Sequence, residues 1–284
     1  MKPAIFMSKA DTFSGDYSFT FRNAHNEYHA GLHYHDFYEF VIYLGNAGSF
    51  FIDNTSYDLH RGDIVLISMF TPHILRYDPD SSYERFSVSI DPQLLLSFSS
   101  ESSNILDIFL SDNEHYPVFH LDETSFARYP RLLERMRGRG LQHGNEIYQR
   151  ALLHQLCAFL YDDCYNGSHY DSTEAQYIAL VAHLIQYINN HLGEDLSLEV
   201  LAKECNYSIF HLCKIFKKVT QKTLNNYIIE KRLERVAKLL TTTLPISRIA
   251  ENTGFHNYSY FYKAFCKVYG QSPIEYRKSH EQDG

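Results

Sequence analysis

The sequence contains no tryptophan, only five cysteines and no long apolar run. The cysteines are odd in number and form no C-x-x-C pair, which argues against a disulfide scaffold and a structural zinc finger. No stretch reaches the roughly 18 apolar residues that a membrane helix needs. The N-terminal MKPAIFMSKADTFSG lacks the apolar segment of a secretion signal. We therefore expect a cytoplasmic protein with no membrane partner.

The charge is unevenly distributed along the 284 residues. Residues 1–173 carry 12 Lys and Arg against 23 Asp and Glu, whereas residues 201–278 carry 14 against 5. The length predicts two domains. An acidic N-terminal part and a basic C-terminal part indicate that the two domains have different functions. The basic part is a candidate for binding a polyanion. A solvated helical surface would give the same charge, so charge alone leaves both possibilities open.

From Leu196 to His280 the apolar residues recur three and four positions apart, which is the period of an α-helix. Ser197 and Ser208 are placed to cap two successive helices. Between them, Cys205-Asn206 predicts a tight turn because Asn tolerates a left-handed backbone. A second unit of the same kind has its turn at Thr253-Gly254-Phe255.

The two units can be aligned residue by residue. Ala202 pairs with Ala250, 48 positions later, and Phe216 pairs with Phe265, 49 positions later. Such a repeat is much harder to obtain by chance than one apolar stripe. Between the copies, Thr223 to about Thr241 contains neither Gly nor Pro and predicts one long helix. Because the second helix of such a unit lies in the DNA major groove, two linked units predict binding to successive grooves.

The second unit contains Ile249-Ala250, Gly254-Phe255, Tyr260-Phe261, Phe265-Cys266-Lys267 and Ser272 to Arg277. With these elements, residues 196–280 resemble the DNA-binding domain of AraC/XylS-type transcription regulators. The first copy departs from the family pattern at two positions, where Asn206 and Gln221 replace glycines.

The resemblance implies which side chains face DNA. The first recognition helix is expected to present Phe210, His211, Cys213 and Lys214 to the groove. The second is expected to present Asn257, Tyr258, Ser259, Tyr262 and Lys263. Lys can bond guanine, Asn can bond adenine, and an aromatic ring can contact the thymine methyl group. The cations expected on phosphates, which position the protein without specifying sequence, are Lys217, Lys218, Lys222 and Lys267. Leu212, Ile215, Phe216, Phe261 and Phe265 are expected to form core.

Between Phe19 and Ile90 the sequence has short β-branched and aromatic runs separated by turn residues, which is typical of strands. The clearest strands are 38–44, 49–52, 64–67 and 86–90. Their close spacing, without intervening helices, predicts an antiparallel barrel or jelly roll.

Three stretches of this region, HYHDFYEFVIYLGNAG, YDLHRGDIVLI and TPH, resemble the cupin-like effector domain of many AraC-type regulators. The resemblance implies a small effector, commonly a sugar, inside the barrel. Alternate positions of one strand share a face, and aromatic rings with polar edges suit a sugar-like ligand. The expected effector-binding residues are His33, His35, Phe37, Glu39, Tyr43 and His73.

His33-x-His35-x3-Glu39 followed by His73 is also the spacing of metal-binding cupin enzymes. Imidazoles with a carboxylate suit a divalent transition metal. The Pro and Gly that precede the last His in the enzyme pattern are Ser68 and Phe70 here. We therefore expect no metal, no cofactor and no catalysis, with the histidines bonded to a ligand or a backbone carbonyl.

Residues 92–165 have helical periodicity, and Gly144 or Asn145 starts a helix with a broad apolar face. In the family, helices after the barrel commonly form the dimer, and an intramolecular brace is the alternative. The members of this face are Leu152, Leu153, Leu156, Phe159 and Leu160. The polar stretch near Gly167 predicts a linker.

The expected fold is therefore α+β in two domains. Residues 1–165 form a cupin-like effector-binding and dimerisation domain, an antiparallel β-barrel with following helices. Residues 166–175 form the linker, and residues 176–284 form an all-α double helix-turn-helix domain. The chain is identified as a member of the AraC/XylS family, a DNA-binding regulator and not an enzyme.

The resemblance implies double-stranded DNA, RNA polymerase, a small effector and a second copy of the chain as partners, with activation as the default. Two alternatives stay open. One is a metal-dependent cupin enzyme fused to a DNA-binding domain. The other is an effector-free regulator controlled by a protein partner.

Overall fold

The structure is a computed structural model that describes residues 6–7, 16–24, 31–45, 47–52, 55–76, 83–100, 102–109, 116–138, 140–165, 167 and 172–281. The chain forms two compact units, Met1–Ala175 and Gln176–Gly284. Within the described ranges, no helix has the length and apolarity needed to cross a membrane.

Two five-stranded sheets form the first unit. One sheet has the order β1-β3-β8-β5-β6, with strands Phe6–Met7 (β1), His33–Tyr34 (β3), Ala47–Ile52 (β5), Thr55–Leu59 (β6) and His73–Arg76 (β8). The other has the order β10-β7-β4-β9-β2, with strands Tyr17–Ala24 (β2), Tyr38–Tyr43 (β4), Asp63–Ile67 (β7), Tyr83–Ile90 (β9) and Val118–His120 (β10).

Strand β4 lies at the centre of the second sheet, between β7 and β9. Alternate residues of a strand point to opposite faces, and both faces of β4 are buried. Phe40 packs against the Phe109 ring on the outer face, with the centroids 5.8 Å apart. Val41 and Tyr43 belong to an inner cluster that joins both sheets, together with Phe50, Ile52, Leu59, Val65, Ile67 and Val118.

The predicted antiparallel β-domain is confirmed, but it is not a closed barrel. The two sheets pack on a shared core, and among the described strands no edge strand of one sheet pairs with the other. The β1–β3 pair is parallel, which short-range sequence patterns do not reveal.

Helices follow the sheets in the first unit. Their bounds are Pro92–Leu96 (α1), Ile105–Phe109 (a 3₁₀ helix, η1), Glu123–Phe126 (α2), Arg128–Arg137 (α3) and Asn145–Cys164 (α4). Helix α4 begins at Asn145 as predicted, after Gly144 with a φ of 71°. Arg128 of α3 bonds Asp162 and Asp163 of α4, and its guanidinium lies 4.7 Å from the centre of the Phe159 ring.

The predicted apolar face of α4 is buried by other parts of the same chain. Leu152, Leu153, Leu156 and Leu160 are buried in the first unit. This face is therefore the intramolecular brace, and a dimer would need other residues.

The second unit is helical. Its helices are Ser172–Asn190 (α5), Leu198–Glu204 (α6), Ile209–Thr220 (α7), Leu224–Leu239 (α8), Ile246–Asn252 (α9), Tyr258–Tyr269 (α10) and Pro273–Glu281 (α11). The last residues of the predicted linker, 172–175, are already helical, whereas 166 and 168–171 lie outside the described residues. The predicted core residues Leu212, Ile215, Phe216, Phe261 and Phe265 are all buried.

Both predicted turns have left-handed backbone. Asn206 has a φ of 56° and Gly254 a φ of 85°. Gln221, the other residue that replaces a glycine, has a φ of 58° and aligns with Gly270, whose φ is 69°. Ser208 caps α7 by accepting a hydrogen bond from the His211 amide at 3.3 Å. Ser197 occupies the N-cap position of α6, but its side chain makes no capping bond.

Two arginines bond backbone carbonyls in the segments that follow α5 and α8. Arg232 donates from Nε to the Leu192 carbonyl at 3.0 Å and from Nη2 to the Glu194 carbonyl at 2.9 Å. Arg277 donates to the Leu240 and Leu244 carbonyls at 3.1 and 2.6 Å. These bonds satisfy backbone acceptors that no helix ladder reaches.

Candidate functional site

The first turns of α7 expose the predicted DNA-facing side chains. Phe210 is 79% exposed, a large value for an apolar ring. Lys214 and Lys217 are also exposed, and among the described residues neither has a carboxylate partner. Cys213 is partly buried and its thiol is free. Because it is partly buried, the pKa of the Cys213 thiol is raised.

Two other predicted residues of α7 are held by Tyr177 of α5. The His211 ring stacks on Tyr207 with centroids 5.4 Å apart and meets Tyr177 edge-on at 6.2 Å. The Lys218 ammonium lies 5.4 Å from the centre of the Tyr177 ring. His211 and Lys218 therefore both contact aromatic rings of the second unit. Lys222, which we expected to contact a DNA phosphate, forms an ion pair with Glu230 within the protein.

Helix α10 repeats this exposed surface. Tyr258 and Tyr262 are 46% and 41% exposed, and Ser259, Lys263 and Lys267 are exposed beside them. Asn257 caps the helix, since its Oδ1 accepts a hydrogen bond from the Tyr260 amide at 2.9 Å. Oδ1 has a second lone pair and the amide group still has its donors, so capping leaves Asn257 able to contact adenine.

The sequence prediction missed three exposed side chains on the same surface. Tyr207, Ile209 and Tyr260 are all exposed at helix starts or turns. Tyr207 aligns with Phe255, which is buried, so the repeat itself pointed to a core position. Tyr260 belongs to a run of exposed positions, 256–260, that ends at the buried Phe261.

In the first unit the predicted effector-binding residues meet between the two sheets. His35 follows β3, Glu39 lies on β4, and His73 begins β8. His35 Nε2 is 3.2 Å and His73 Nε2 is 3.8 Å from Glu39 Oε2. The His33 ring centre lies 4.3 Å from that of His73. These four of the six predicted residues are thus brought together, although they come from both sheets.

Each of the three imidazoles is oriented by a backbone carbonyl. Nδ1 lies 2.8 Å from the Gly31 oxygen in His33, 2.8 Å from the Phe37 oxygen in His35, and 2.9 Å from the Thr71 oxygen in His73. A carbonyl oxygen only accepts hydrogen bonds, so each Nδ1 carries the proton.

The pKa values of Glu39 and His73 are both lowered, which leaves one charged and the other neutral. Burial works to raise the Glu39 pKa, but the hydrogen bond with His35 and the charges of His35, His73 and Arg85 lower it to about 2. Burial, with His35 and His33 nearby, lowers the pKa of His73 to about 3. At neutral pH, Glu39 is therefore an anion and His73 is neutral.

Phe37 and Tyr43 take different positions at this site. The Phe37 ring stacks on His35, with centroids 3.9 Å apart and 5° between the planes. Tyr43 lies deeper, and burial raises the pKa of its hydroxyl. Among the described residues, Tyr43 Oη and Ser87 Oγ are buried without a hydrogen-bond partner. Such groups are costly unless a ligand or water bonds them.

Arg85 and Ser87 are site residues that the sequence did not reveal. They lie on β9, opposite Tyr43 and Val41 of β4, and so on the inner face. Only the strand register places them there, and the sequence contains no signal for that register.

A cavity of about 230 Å³ lies on the outer side of the β2–β9–β4 sheet under α3. Arg61 and Arg137 stack on Phe126 and Phe21 there, at 4.5 and 4.1 Å from the ring centres. Arg61 is paired with Glu123 at 2.8 Å. None of the predicted effector residues lines this cavity.

Two family models match the chain. One, described as an AraC-like ligand binding domain, matches residues 16–160. The other, described as a helix-turn-helix domain, matches residues 201–279. The matched ranges correspond to the two units of the structure.

Relatives of known name match across the chain or its second unit. YdeC of Bacillus subtilis, an uncharacterised HTH-type transcriptional regulator, is 25% identical over 87% of this chain and 86% of its own length. The Msm operon regulatory protein of Streptococcus mutans is 26% identical over 86% of this chain and 84% of its own length. SoxS of Salmonella typhimurium is 34% identical over 34% of this chain and 92% of its own length.

Among solved structures, ToxT from Vibrio cholerae with a bound unsaturated fatty acid superposes with a TM-score of 0.55. The match covers 93% of this chain and 95% of that chain at 14% sequence identity. At this identity the likeness concerns the fold.

Proposed function

This chain belongs to the AraC family of transcription regulators, with a ligand-binding N-terminal domain and a helix-turn-helix domain that binds DNA, and we propose that α7 and α10 read its operator. The observation that carries this proposal is the matching exposure of aromatic and lysine side chains on both helices. In each copy, these side chains lie on the face opposite the buried stripe.

The base-reading residues proposed are exposed or partly exposed side chains in the first two turns of the two helices. They are Phe210, Cys213 and Lys214 on α7, and Tyr258, Ser259, Tyr262 and Lys263 on α10. Lys214 and Lys263 can donate to guanine, and the rings can contact thymine methyl groups. His211 and Asn257, already engaged within the protein, position these helices and keep only part of their bonding capacity for DNA.

The phosphate contacts proposed are Lys217, Lys218 and Lys267. A charge without a partner in the protein can neutralise a phosphate without first breaking an ion pair, which favours Lys217 and Lys267. The 16 residues of α8 correspond to about 24 Å of helix. A rigid connection of this kind suits two helices in successive major grooves, about 34 Å apart along the duplex.

For the effector we propose the space between the two sheets, with His35, Glu39 and His73 at one end and Tyr43 and Ser87 deeper inside. The buried hydroxyls without partners support a ligand with several polar groups, such as a sugar. A protein of the same fold, ToxT, has been solved with an unsaturated fatty acid, so fatty acids belong in the same test. Effector binding would act by favouring one conformation over another.

We further propose a cytoplasmic homodimer that activates transcription through RNA polymerase, as the family resemblance implies. Because the leucine face of α4 is occupied, the dimer surface would include Ile147, which is 76% exposed at the start of that helix. The DNA target supports the cytoplasmic location.

The DNA part is tested with the full chain and an operator selected from random oligonucleotides. Lys214→Ala and Lys263→Ala should each weaken the selected site by about 1–3 kcal/mol and random DNA by much less. Lys217→Ala is the matched control, which should weaken both DNAs alike and reduce the salt slope by about one. Equal losses on both DNAs for Lys214→Ala would overturn its role in base recognition.

The effector part is tested by a thermal-shift screen against sugars, sugar acids and fatty acids. A ligand at about 100 times its dissociation constant adds about 2.7 kcal/mol of stability. Ser87→Ala should reduce that shift if the ligand lies between the sheets, whereas Arg137→Ala, in the outer cavity, should not. The reverse pattern would place the effector in the outer cavity.

A further inference from the structure

The two helix-turn-helix copies contact each other directly, through their backbones. Residues 191–197 join α5 to α6 and form the lead-in of the first copy. A Cβ atom at Gly193 in this lead-in would lie 2.7 Å from the Asn252 carbonyl oxygen. Because Asn252 is the last residue of α9, the lead-in of the first copy lies against the turn of the second.

Arg232 of α8 lies at the same junction and bonds the lead-in. Its Nε donates to the Leu192 carbonyl at 3.0 Å and its Nη2 donates to the Glu194 carbonyl at 2.9 Å. The turn of the second copy lies against the same guanidinium, since a Cβ atom at Gly254 would lie 2.6 Å from the guanidinium carbon. Arg232 therefore contacts the lead-in of the first copy and the turn of the second at once.

The chemistry of this contact suits an arginine. A guanidinium holds its donors in a rigid plane and can bond two carbonyl oxygens at once, whereas the ammonium group of lysine is a compact point charge. Arg232 is partly buried, and a buried charge is costly unless hydrogen bonds compensate it. Movement of the lead-in away from the guanidinium would break both bonds. The contact therefore resists relative movement of the two copies.

We propose that Arg232 is a positioning residue for DNA recognition, which sets the distance and rotation between α7 and α10. Helix α7 is connected to the lead-in through α6, and α10 begins at Tyr258, shortly after the turn at Gly254. A side chain that holds the lead-in against this turn therefore holds the two recognition helices at one spacing. Successive major grooves lie about 34 Å apart, so one spacing of the helices fits one separation of the half-sites.

The inference rests on the proposed reading of the operator by α7 and α10, and its test compares two operators. The half-sites are the base pairs at which Lys214→Ala and Lys263→Ala relax the specificity of the full-length protein. The second duplex has two additional base pairs between the half-sites, which rotate one half-site by about 70° relative to the other. The wild type should bind this duplex about 10–100-fold less tightly, because only one helix can then contact its bases.

The measured quantity is the ratio of the dissociation constants for the two duplexes. In Arg232→Ala this ratio should fall by about five-fold or more, since each of the two lost bonds is worth about a factor of five in an equilibrium constant. Arg232→Lys keeps the charge but not the planar fork, so its ratio should be intermediate. A purely structural role would weaken binding to both duplexes equally and leave the ratio unchanged. Far-UV circular dichroism checks that each variant is folded.

Arg248→Ala is the matched control, because it also removes one positive charge, and Arg248 pairs with Glu251 within α9 at 3.0 Å. Its ratio should equal that of the wild type. An unchanged ratio in both Arg232 variants, beside a clear preference of the wild type for the original separation, would overturn the proposal and leave the reading of the operator intact. A wild type that binds both duplexes alike would refute reading by two linked helices, and this proposal with it.

Discussion

Gly254 allows a sharp test of how the two helix-turn-helix copies differ. It aligns with Asn206, and both have left-handed backbone, with φ values of 85° and 56°. A Cβ atom at Gly254 would lie 2.5 Å from the Leu192 carbonyl oxygen and 2.6 Å from the Arg232 guanidinium carbon. Two substitutions, Gly254→Asn and Asn206→Gly, exchange these residues. Comparing them separates the cost of left-handed backbone from the cost of a side chain that lies too close to its neighbours.

The expected magnitudes follow from these contacts. In Gly254→Asn the left-handed conformation costs about 1 kcal/mol. The new Cβ also displaces Arg232 from the Leu192 and Glu194 carbonyls. Each of these partly exposed bonds contributes about 1 kcal/mol, so the free energy of unfolding should fall by about 3 kcal/mol. In Asn206→Gly the relief of strain and the entropy of glycine nearly cancel, leaving a change within about 0.5 kcal/mol of zero.

The assay is urea unfolding of the full chain followed by far-UV circular dichroism, which reports the helical second unit and does not need the tryptophan that the sequence lacks. Asn206→Gly is the control for the turn conformation. A loss of only about 1 kcal/mol in Gly254→Asn, as for an ordinary left-handed position, would refute the argument from close approach.

Two more stability predictions can be measured in the same way. Gln221→Gly should raise the free energy of unfolding by about 0.5–1 kcal/mol, because a non-glycine residue in left-handed backbone is strained; Gly270→Gln, at the aligned position, should lower it by a similar amount. A loss in Gln221→Gly would mean that its side-chain bond to the Lys218 carbonyl, at 3.0 Å, outweighs the strain. Arg277→Ala should cost about 2 kcal/mol, because two backbone carbonyls lose a charged donor. Arg277→Lys should recover less than half, since lysine lacks the planar fork of donors, and full recovery would show that charge alone matters.

The helical part of the fold could be predicted from the sequence because its signals are local and repeated. The periodic apolar residues, the Ser208 cap and the left-handed Asn206 each act within one turn of helix. Alignment of the two copies then identified the core, since a residue such as Phe216 has a counterpart in Phe265. Buried positions of this kind depend on helical period alone.

The limits of the prediction appear where one residue has two roles. His211 and Asn257 were expected to contact bases, yet one stacks on Tyr207 and the other caps α10. Tyr177 contributes to the same surface from a helix far earlier in the sequence. Tertiary contacts of this kind have no local pattern, so spacing could not reveal them.

In the first unit, alternation along one strand predicted the shared face of Glu39 and Tyr43. The opposing residues, Arg85 and Ser87, depend on the register between β4 and β9, which the sequence does not specify. The orientation of the imidazoles likewise depends on backbone carbonyls two residues away, and on the loop geometry that places them.

The residues proposed to bind the effector come from different sheets, with Glu39 on β4 and His73 on β8. An occupant that holds both would connect the two layers at a point where their edges are not joined by backbone hydrogen bonds among the described strands. Separation of the layers would then require breaking that connection first. Amide hydrogens of β4 and β8 should therefore exchange with solvent more slowly, and by the same factor, whenever the position is filled.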